Sequence, residues 1–421
     1  MEASLYIHVP FCRGICDYCD FYSVPAEPRD RRLDLFVDAV CTDVEDALRS
    51  PRNKAPRPLR LPRAEGSPVV DSVPAVYIGG GTPSVLGAGR MARLLPSLNA
   101  ALPLSPQARE FTVEANPESA DRGFLEACRN AGVNRVSLGV QTFHEPSRRA
   151  VRRAGGGDVL PSALSLVREI FGAGGASFSA DLITGLPFQD EKILRKDIES
   201  LLAYDPGHVS LYSLTLAPGT PLKEKGGVSL LPPADEADRL WLAGRDLLLE
   251  AGYEQYEVSS FAKPAFRCVH NIRYWRMKNW LGVGPAASGT VIDDASGTGF
   301  RFTVNADADL WLASHERGRR ADQDAEFLDA LTLMKETFLM GFRFTEGPDA
   351  ELFFKRFGRT IEETIPGVLE KWRNRGFLRE KDGSAGLTGE GLLFLNSFLL
   401  DVFTEIDLRR GSMPCAKRRF H

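Results

Sequence analysis

Short apolar, β-branched runs alternate with longer amphipathic stretches from the N-terminus to about residue 260. Few folds accept that alternation other than repeated strand–helix units around a parallel sheet. Six runs read as strands: Ser4–Val9, Ala75–Gly79, Glu110–Ala115, Arg135–Val140, Phe178–Ile183 and Val209–Leu214. Helical periodicity fills stretches near 30–49, 89–100, 120–131, 145–153, 159–173, 190–203 and 234–251. Residues 50–74, rich in Pro and Arg with little periodicity, read as a surface insertion. Past residue 300 the pattern changes: Leu328, Leu331, Leu333, Met334, Phe338 and Leu339 mark a helix with an apolar face, and the remainder of the chain is mostly helical in pattern. Leu352–Phe357, Val368–Arg375 and Gly391–Val402 read as short amphipathic helices. Gly376-Phe377-Leu378 and Leu387-Thr388 read as a small hairpin, as in winged-helix domains. The expected division is therefore 1–300 and 301–421, which suits a chain too long for one ordinary core.

Charge excludes one class of partner. With 52 Lys+Arg against 56 Asp+Glu the net charge is -4, so no nucleic-acid partner is expected. No apolar run reaches the roughly 18–20 residues of a membrane span, and Met1-Glu2-Ala3-Ser4 does not open like a secretory signal. A cytoplasmic chain with no integral membrane segment is expected. Seven cysteines is an odd count in such a chain and favours metal or redox chemistry over disulfides; Cys12, Cys16 and Cys19 lie within eight residues. The tail Pro414–His421 is basic and reads as a solvated end.

The segment Phe11-Cys12-Arg13-Gly14-Ile15-Cys16-Asp17-Tyr18-Cys19-Asp20-Phe21 comes directly after the first strand, spacing its cysteines as C-x3-C-x2-C. One reading is a structural zinc site completed by His8. Against it, the chain holds no second ligand pair of suitable spacing, and a strand carrying His8 inward would have to turn back to meet the loop. Three thiolates on one short loop suit a [4Fe–4S] cube, in which three irons take protein sulfur and the fourth is left for a non-protein ligand. With Tyr18 just before the last cysteine, the loop closely resembles the hallmark of the radical S-adenosylmethionine (SAM) superfamily.

That resemblance implies an α/β fold, a partial (β/α)6 barrel with its site at the C-terminal ends of the strands. Polar residues do stand there. The second run ends in Gly79-Gly80-Gly81-Thr82-Pro83, the third in Glu114, the fourth in Gln141, and the fifth contains Asp181. Each has an ordinary alternative in a plain turn, a helix cap or a solvated loop; four in succession favour a site. For SAM the resemblance implies Gly80, Gly81 and Thr82 beside its amino group, where only glycine leaves room, and Arg153 on its carboxylate. It places Glu114, Gln141 and Asp181 on the ribose and sulfonium, Thr215 against the adenine, and Tyr6 and Tyr18 around the cluster and adenosine. The chemistry implied is the cofactor's: an electron passes from the reduced cluster to SAM, the S–C5′ bond breaks and a 5′-deoxyadenosyl radical is left. That chemistry calls for an electron donor such as a flavodoxin or ferredoxin.

Four stretches narrow the resemblance. Tyr6-Ile7-His8-Val9-Pro10-Phe11-Cys12, the Gly79–Pro83 run, Val113-Glu114-Ala115-Asn116-Pro117 and Arg135–Phe143 together resemble the oxygen-independent coproporphyrinogen III oxidase group, over essentially the whole chain. True oxidases carry a fourth cysteine two residues past the third, where this chain has Phe21. The departure points to the sister family, the HemW-type haem chaperones, which bind haem and deliver it to haem-acceptor proteins; a porphyrinogen oxidase is the alternative. His270-Asn271-Ile272-Arg273-Tyr274-Trp275 is similar to the chaperones' H-N-x-x-Y-W signature, which makes His270 the expected haem contact and Cys268 a second candidate. The structural alternative is a hydrogen-bonded corner of His270 and Asn271 packed on Trp275. Gly282–Ser288 departs from the family's glycine-rich run ending in His, so no role passes to Ser288. His8 resembles a histidine near the oxidases' substrate, its direction depending on strand register. Leu333–Phe338 and Gly341–Gly347 resemble the family's C-terminal domain, whose implied use is docking to acceptors or covering the barrel mouth.

Overall fold

The computed structural model describes residues 1–49, 70–103, 110–174, 176–224, 226–319, 321–381 and 383–409. Most of the 50–74 insertion and the basic tail lie outside the described residues. Six parallel strands stand side by side in chain order: β1 (Ser4–Val9), β2 (Ala75–Gly80), β3 (Glu110–Ala115), β4 (Arg135–Gln141), β5 (Ser177–Thr184) and β6 (His208–Ser213). Helices Arg31–Arg49, Gly87–Ala101, Arg122–Asn130, Val159–Phe171, Glu191–Leu202 and Ala234–Glu250 succeed them in turn. These are the strand–helix units around a parallel sheet that the alternation of runs predicts, arranged as the partial α/β barrel that the resemblance implies.

Strand side chains alternate between faces, and here the two faces differ in kind. Leu5, Ile7 and Val9, Val76 and Ile78, Phe111 and Val113, Val136 and Leu138, Ala180 and Leu182 face one way and join Phe36, Leu94, Phe124 and Leu164 of the helices in one buried core. The opposite phase carries Tyr6, His8, Tyr77, Thr112, Glu114, Arg135, Ser137, Ser179, Asp181 and Ser210. Parallel strands are ordinarily apolar on both faces. An inner face of hydroxyls, carboxylates and rings marks the concave side as a chamber rather than a packed centre.

The sheet is wider than the six runs predict. Trp280–Val283 lies parallel to β1, and Ser288–Asp293, Thr298–Val304 and Gln323–Leu328 extend that edge antiparallel. Ser260–Ala262 and Glu254–Gln255 extend the other, giving twelve strands. Glycines hide the first of these in the sequence. A Cβ at Gly282 would stand 2.2 Å from the Ser288 carbonyl oxygen, and Gly284, at φ +100°, passes 2.4 Å from the His8 carbonyl oxygen by the same measure. The Gly282–Ser288 run thus turns one strand tightly into the next, and Ser288 pairs its hydroxyl with Thr303 at 2.8 Å. Residue 300 lies within Thr298–Val304.

A second core is built from Phe338, Phe342, Phe353, Ile365, Trp372 and Phe398. Helices Ala330–Gly341, Ala350–Phe357, Pro366–Asn374 and Leu395–Arg409 supply it, beside the antiparallel hairpin Leu378–Lys381 and Ser384–Leu387. Asp329, Asp349 and Thr360 cap helix starts through their side chains. Among the described residues no helix is long and apolar enough to cross a membrane.

Candidate functional site at the strand ends

The cysteine loop leaves β1 and folds across the C-terminal ends of the strands. Cys12 and Cys16 are buried and Cys19 is partly so, its N–H donating to the Cys16 carbonyl at 3.2 Å. The thiols sense one another. Burial pushes Cys12 up and Cys19 up to about 11, with the neighbouring thiols adding repulsion. Thiols held protonated by burial, as Cys12 and Cys19 are, ionise readily only beside a shared positive charge. Among the described residues no three His, Cys, Asp or Glu side chains converge tightly enough for a single metal ion; a cube asks for a wider triangle, because each thiolate takes a different iron. His8 does face inward, but both ring nitrogens are engaged, Nδ1 with the Tyr6 hydroxyl and Nε2 with the Tyr22 carbonyl, each at 3.0 Å. That leaves the zinc reading without its fourth ligand. Phe21, at the fourth-cysteine position, is 67% exposed.

Behind the loop lies the glycine run. A Cβ on Gly81 would stand 2.7 Å from the Phe11 carbonyl oxygen, and one on Gly80, at φ +110°, would stand 2.8 Å from the His8 ring. Only glycine lets the loop and β2 approach this closely. The buried Thr82 hydroxyl lies 3.1 Å from Cys12 Sγ and accepts from Asn116 Nδ2 at 3.0 Å. Glu114 accepts from the Tyr77 hydroxyl at 2.7 Å and from the Gly80 N–H at 3.1 Å. Burial holds its pKa up to about 7, the Tyr77 bond opposing and Asp181 adding repulsion. Burial likewise holds Asp181 up to about 6, with Ser210, Arg135 and Arg153 opposing.

Gln141 ends β4 where the register shifts, at φ +69°, and its Oε1 is buried without a partner among the described residues. A strained non-glycine backbone with an unsatisfied polar atom is the signature of a position built for a ligand. Arg153, expected within a helix, lies beyond one: the helix stops at Ala150, and Arg152 at φ +52° turns the chain. Arg152 then faces out to pair with Asp17, while Arg153 turns in. Arg153 donates to Asn116 Oδ1 at 2.7 Å and to the Gly139 carbonyl at 2.5 Å, and stands 3.8 Å from Cys16 Sγ. Burial works against its charge, yet Tyr18, Cys16 and Glu118 hold it above the ordinary arginine range. Tyr18 packs beside Val151, Ile183, Leu186 and Leu222. Thr215 is exposed, two residues past β6, with no hydrogen bond tying it to this group among the described residues.

Arg148 belongs to the site without any sign of it in the sequence. It is fully buried and donates to the carbonyls of Val140 and Thr142 at 2.8 Å each, and to that of Ala154, so it ties the end of β4 to the loop bearing Arg153. Four arginines stand between residues 148 and 153, and their spacing alone does not say which turn inward.

His270 sits at the other end of the strands. Glu110, the first residue of β3, accepts the N–H groups of Val269 at 2.8 Å and His270 at 2.9 Å, together with the Cys268 thiol at 3.4 Å. The short helix Val269–Trp275 is thereby pinned beneath the barrel. The His270 ring rests on Tyr77, 4.9 Å between centroids, not in a corner on Trp275, and its Nδ1 is buried without a partner among the described residues. Burial brings its pKa down to about 4, so the imidazole is neutral.

Residues 6–201 match the model of the radical SAM superfamily, and residues 328–394 that of the HemN C-terminal domain. Over 406 residues the chain is 33% identical to the heme chaperone HemW of Escherichia coli (strain K12), covering 95% of this chain and 97% of that one. The chain belongs to the HemW family. HemW of Bacillus subtilis (strain 168) is 30% identical over 403 residues, covering 93% and 97%. The mitochondrial radical S-adenosyl methionine domain-containing protein 1 of Danio rerio is 30% identical over 422, covering 97% and 88%. The coproporphyrinogen III oxidase HemN of Escherichia coli has the same fold, with a TM-score of 0.75 at 19% identity, covering 95% of this chain and 90% of that one.

Membership of the radical SAM superfamily implies an iron–sulfur cluster and SAM, and the residues of this HemW chain fit both. The buried thiols of Cys12 and Cys19 suit shared iron; the glycines bring β2 close against the cysteine loop, and the strained Gln141 and the inward Arg153 set polar groups beside it.

Proposed function

We propose that the protein is a haem chaperone that binds haem, a [4Fe–4S] cluster and SAM, and delivers haem to acceptor proteins. The observation carrying this reading is the likeness to HemW along nearly the whole of both chains. Cys12, Cys16 and Cys19 hold the cluster, which when reduced supplies one electron to SAM. Arg153 takes the SAM carboxylate as a charge-assisted pair. Gly80, Gly81 and Thr82 leave space for the amino group, Glu114, Gln141 and Asp181 take hydroxyls and the sulfonium side, and Tyr6 and Tyr18 wall the chamber. Thr215, on its exposed loop, lies toward the adenine. A flavodoxin or ferredoxin supplies the electron.

His270 is the haem contact: a neutral imidazole with an unengaged nitrogen is what haem iron takes from a protein. The module from Asp329 onward, with its own core, docks acceptors, and we place its boundary where the sheet ends at Leu328. Phe21 at the fourth-cysteine position speaks against the oxidase alternative, whose likeness at 19% identity is one of fold.

The deciding experiment is anaerobic reconstitution and then haemin titration. A Soret shift that weakens in His270→Ala is expected; no shift, or one unchanged by the substitution, sinks the haem assignment. Release of carbon dioxide from coproporphyrinogen III with SAM and a reductant would favour the oxidase.

A further inference from the structure

We propose that Tyr77 is a positioning residue joining the floor of the barrel to its mouth, so that haem held at His270 and SAM held at the strand ends alter each other's affinity. The inference rests on the haem and SAM sites proposed above.

Three rings form the junction. His270 lies 4.9 Å from Tyr77 and 6.3 Å from Tyr6, and the two tyrosines are 6.2 Å apart. One arm leaves through Tyr77, whose hydroxyl donates to Glu114 at 2.7 Å; the other carboxylate oxygen accepts the Gly80 N–H at 3.1 Å. The second arm leaves through Tyr6, hydrogen-bonded to His8 Nδ1 at 3.0 Å; His8 Nε2 then meets the Tyr22 carbonyl at 3.0 Å, three residues past Cys19. The arms close on each other where Gly80 lies against the His8 ring with no room for a Cβ. One histidine is thus linked by contact to both the glycine cradle and the trailing end of the cysteine loop.

The linkage matters because of what is unengaged. His270 Nδ1 is buried without a partner among the described residues, whereas the hydroxyls of Tyr6 and Tyr77 are committed. Capture of that nitrogen by an iron fixes the plane of the imidazole, and the Tyr77 ring packed on it must move with it, because a close-packed interior transmits small shifts. Its hydroxyl then meets Glu114 at a different angle, and Glu114 carries the change to Gly80. Coupling of this kind is reciprocal: the factor by which haem changes SAM affinity equals the factor by which SAM changes haem affinity.

The test uses the full chain with its cluster reconstituted anaerobically. SAM is titrated by calorimetry with and without saturating haemin, and haemin is titrated through its Soret band with and without SAM. About a fivefold or larger change in SAM Kd is expected, with the same factor in the reverse titration, falling below about twofold in Tyr77→Phe, which keeps the ring and removes the donor. Equal SAM affinities with and without haemin overturn the coupling while leaving both sites standing. An undiminished factor in a folded Tyr77→Phe overturns the assignment of Tyr77. A chain that takes up no haemin overturns this inference together with the haem assignment beneath it; the wild-type reciprocal titrations keep the coupling falsifiable even if a variant fails to fold.

Discussion

The guanidinium of Arg153 stands 3.8 Å from the Sγ of Cys16. A cation fixed on the barrel wall by Asn116 and the Gly139 carbonyl thus reaches the cysteine loop, and a carboxylate bound beside those thiols would meet it.

Replacing Arg153 by Met removes that cation and should weaken SAM binding by about 2 kcal/mol, roughly thirtyfold in Kd. The neighbouring Arg152→Met, which loses only its exposed pair with Asp17, should leave SAM affinity within about twofold. Calorimetry on the two variants checks the distinction; equal losses would mean that Arg153 is not the carboxylate partner.

Glu114 makes folding sensitive to pH. Its folded pKa of about 7 lies above the ordinary value of 4.5, so the native state binds the extra proton. Its contribution is fully present below about pH 4.5 and is lost as pH rises through 7. Glu114→Gln should flatten the fall in melting temperature between about pH 5 and about pH 8 by a few degrees, read by thermal melts of the ligand-free chain.

Gly81 and Gly14 differ in what surrounds them, a close backbone approach at the first and open space at the second. Gly81→Ala forces a methyl against the Phe11 carbonyl and should cost about 1–3 kcal/mol, with poor uptake of iron. Gly14→Ala meets nothing within 4 Å and should be neutral. Chemical denaturation and iron assays on both variants separate a steric role from mere sensitivity of the loop.

Serine at Cys12, Cys16 or Cys19 should abolish the brown colour of reconstituted protein, whereas Cys41→Ser should retain it. Metal analysis of the wild type should find about four irons and four sulfides per chain; a single zinc would end the cluster assignment.

Much of the barrel was legible because its strands carry a double pattern, apolar at Ile7, Ile78 and Val113 and polar at Tyr6, Tyr77 and Glu114, bounded by helices of strong periodicity. The edge strands were not, since Trp280–Val283 is short and interrupted by glycine and Gln323–Leu328 exposes Asp324 and Glu326 at the sheet edge. The candidate site was readable where a residue type is chemically rare, as in the cysteine trio. It was opaque where backbone geometry decides: the left-handed turn at Arg152 sends Arg153 inward, and nothing in the local sequence announces that turn or the burial of Arg148. The floor, too, depends on residues far apart in the chain, with Glu110 holding His270 across 160 positions.

The polar inward face of the six strands has one more consequence. The oily contact that holds the barrel together lies between its strands and their outer helices, and the centre adds little beyond a few packed rings. Any group bound there would act as a missing heart, and without one the fold should breathe most readily from within.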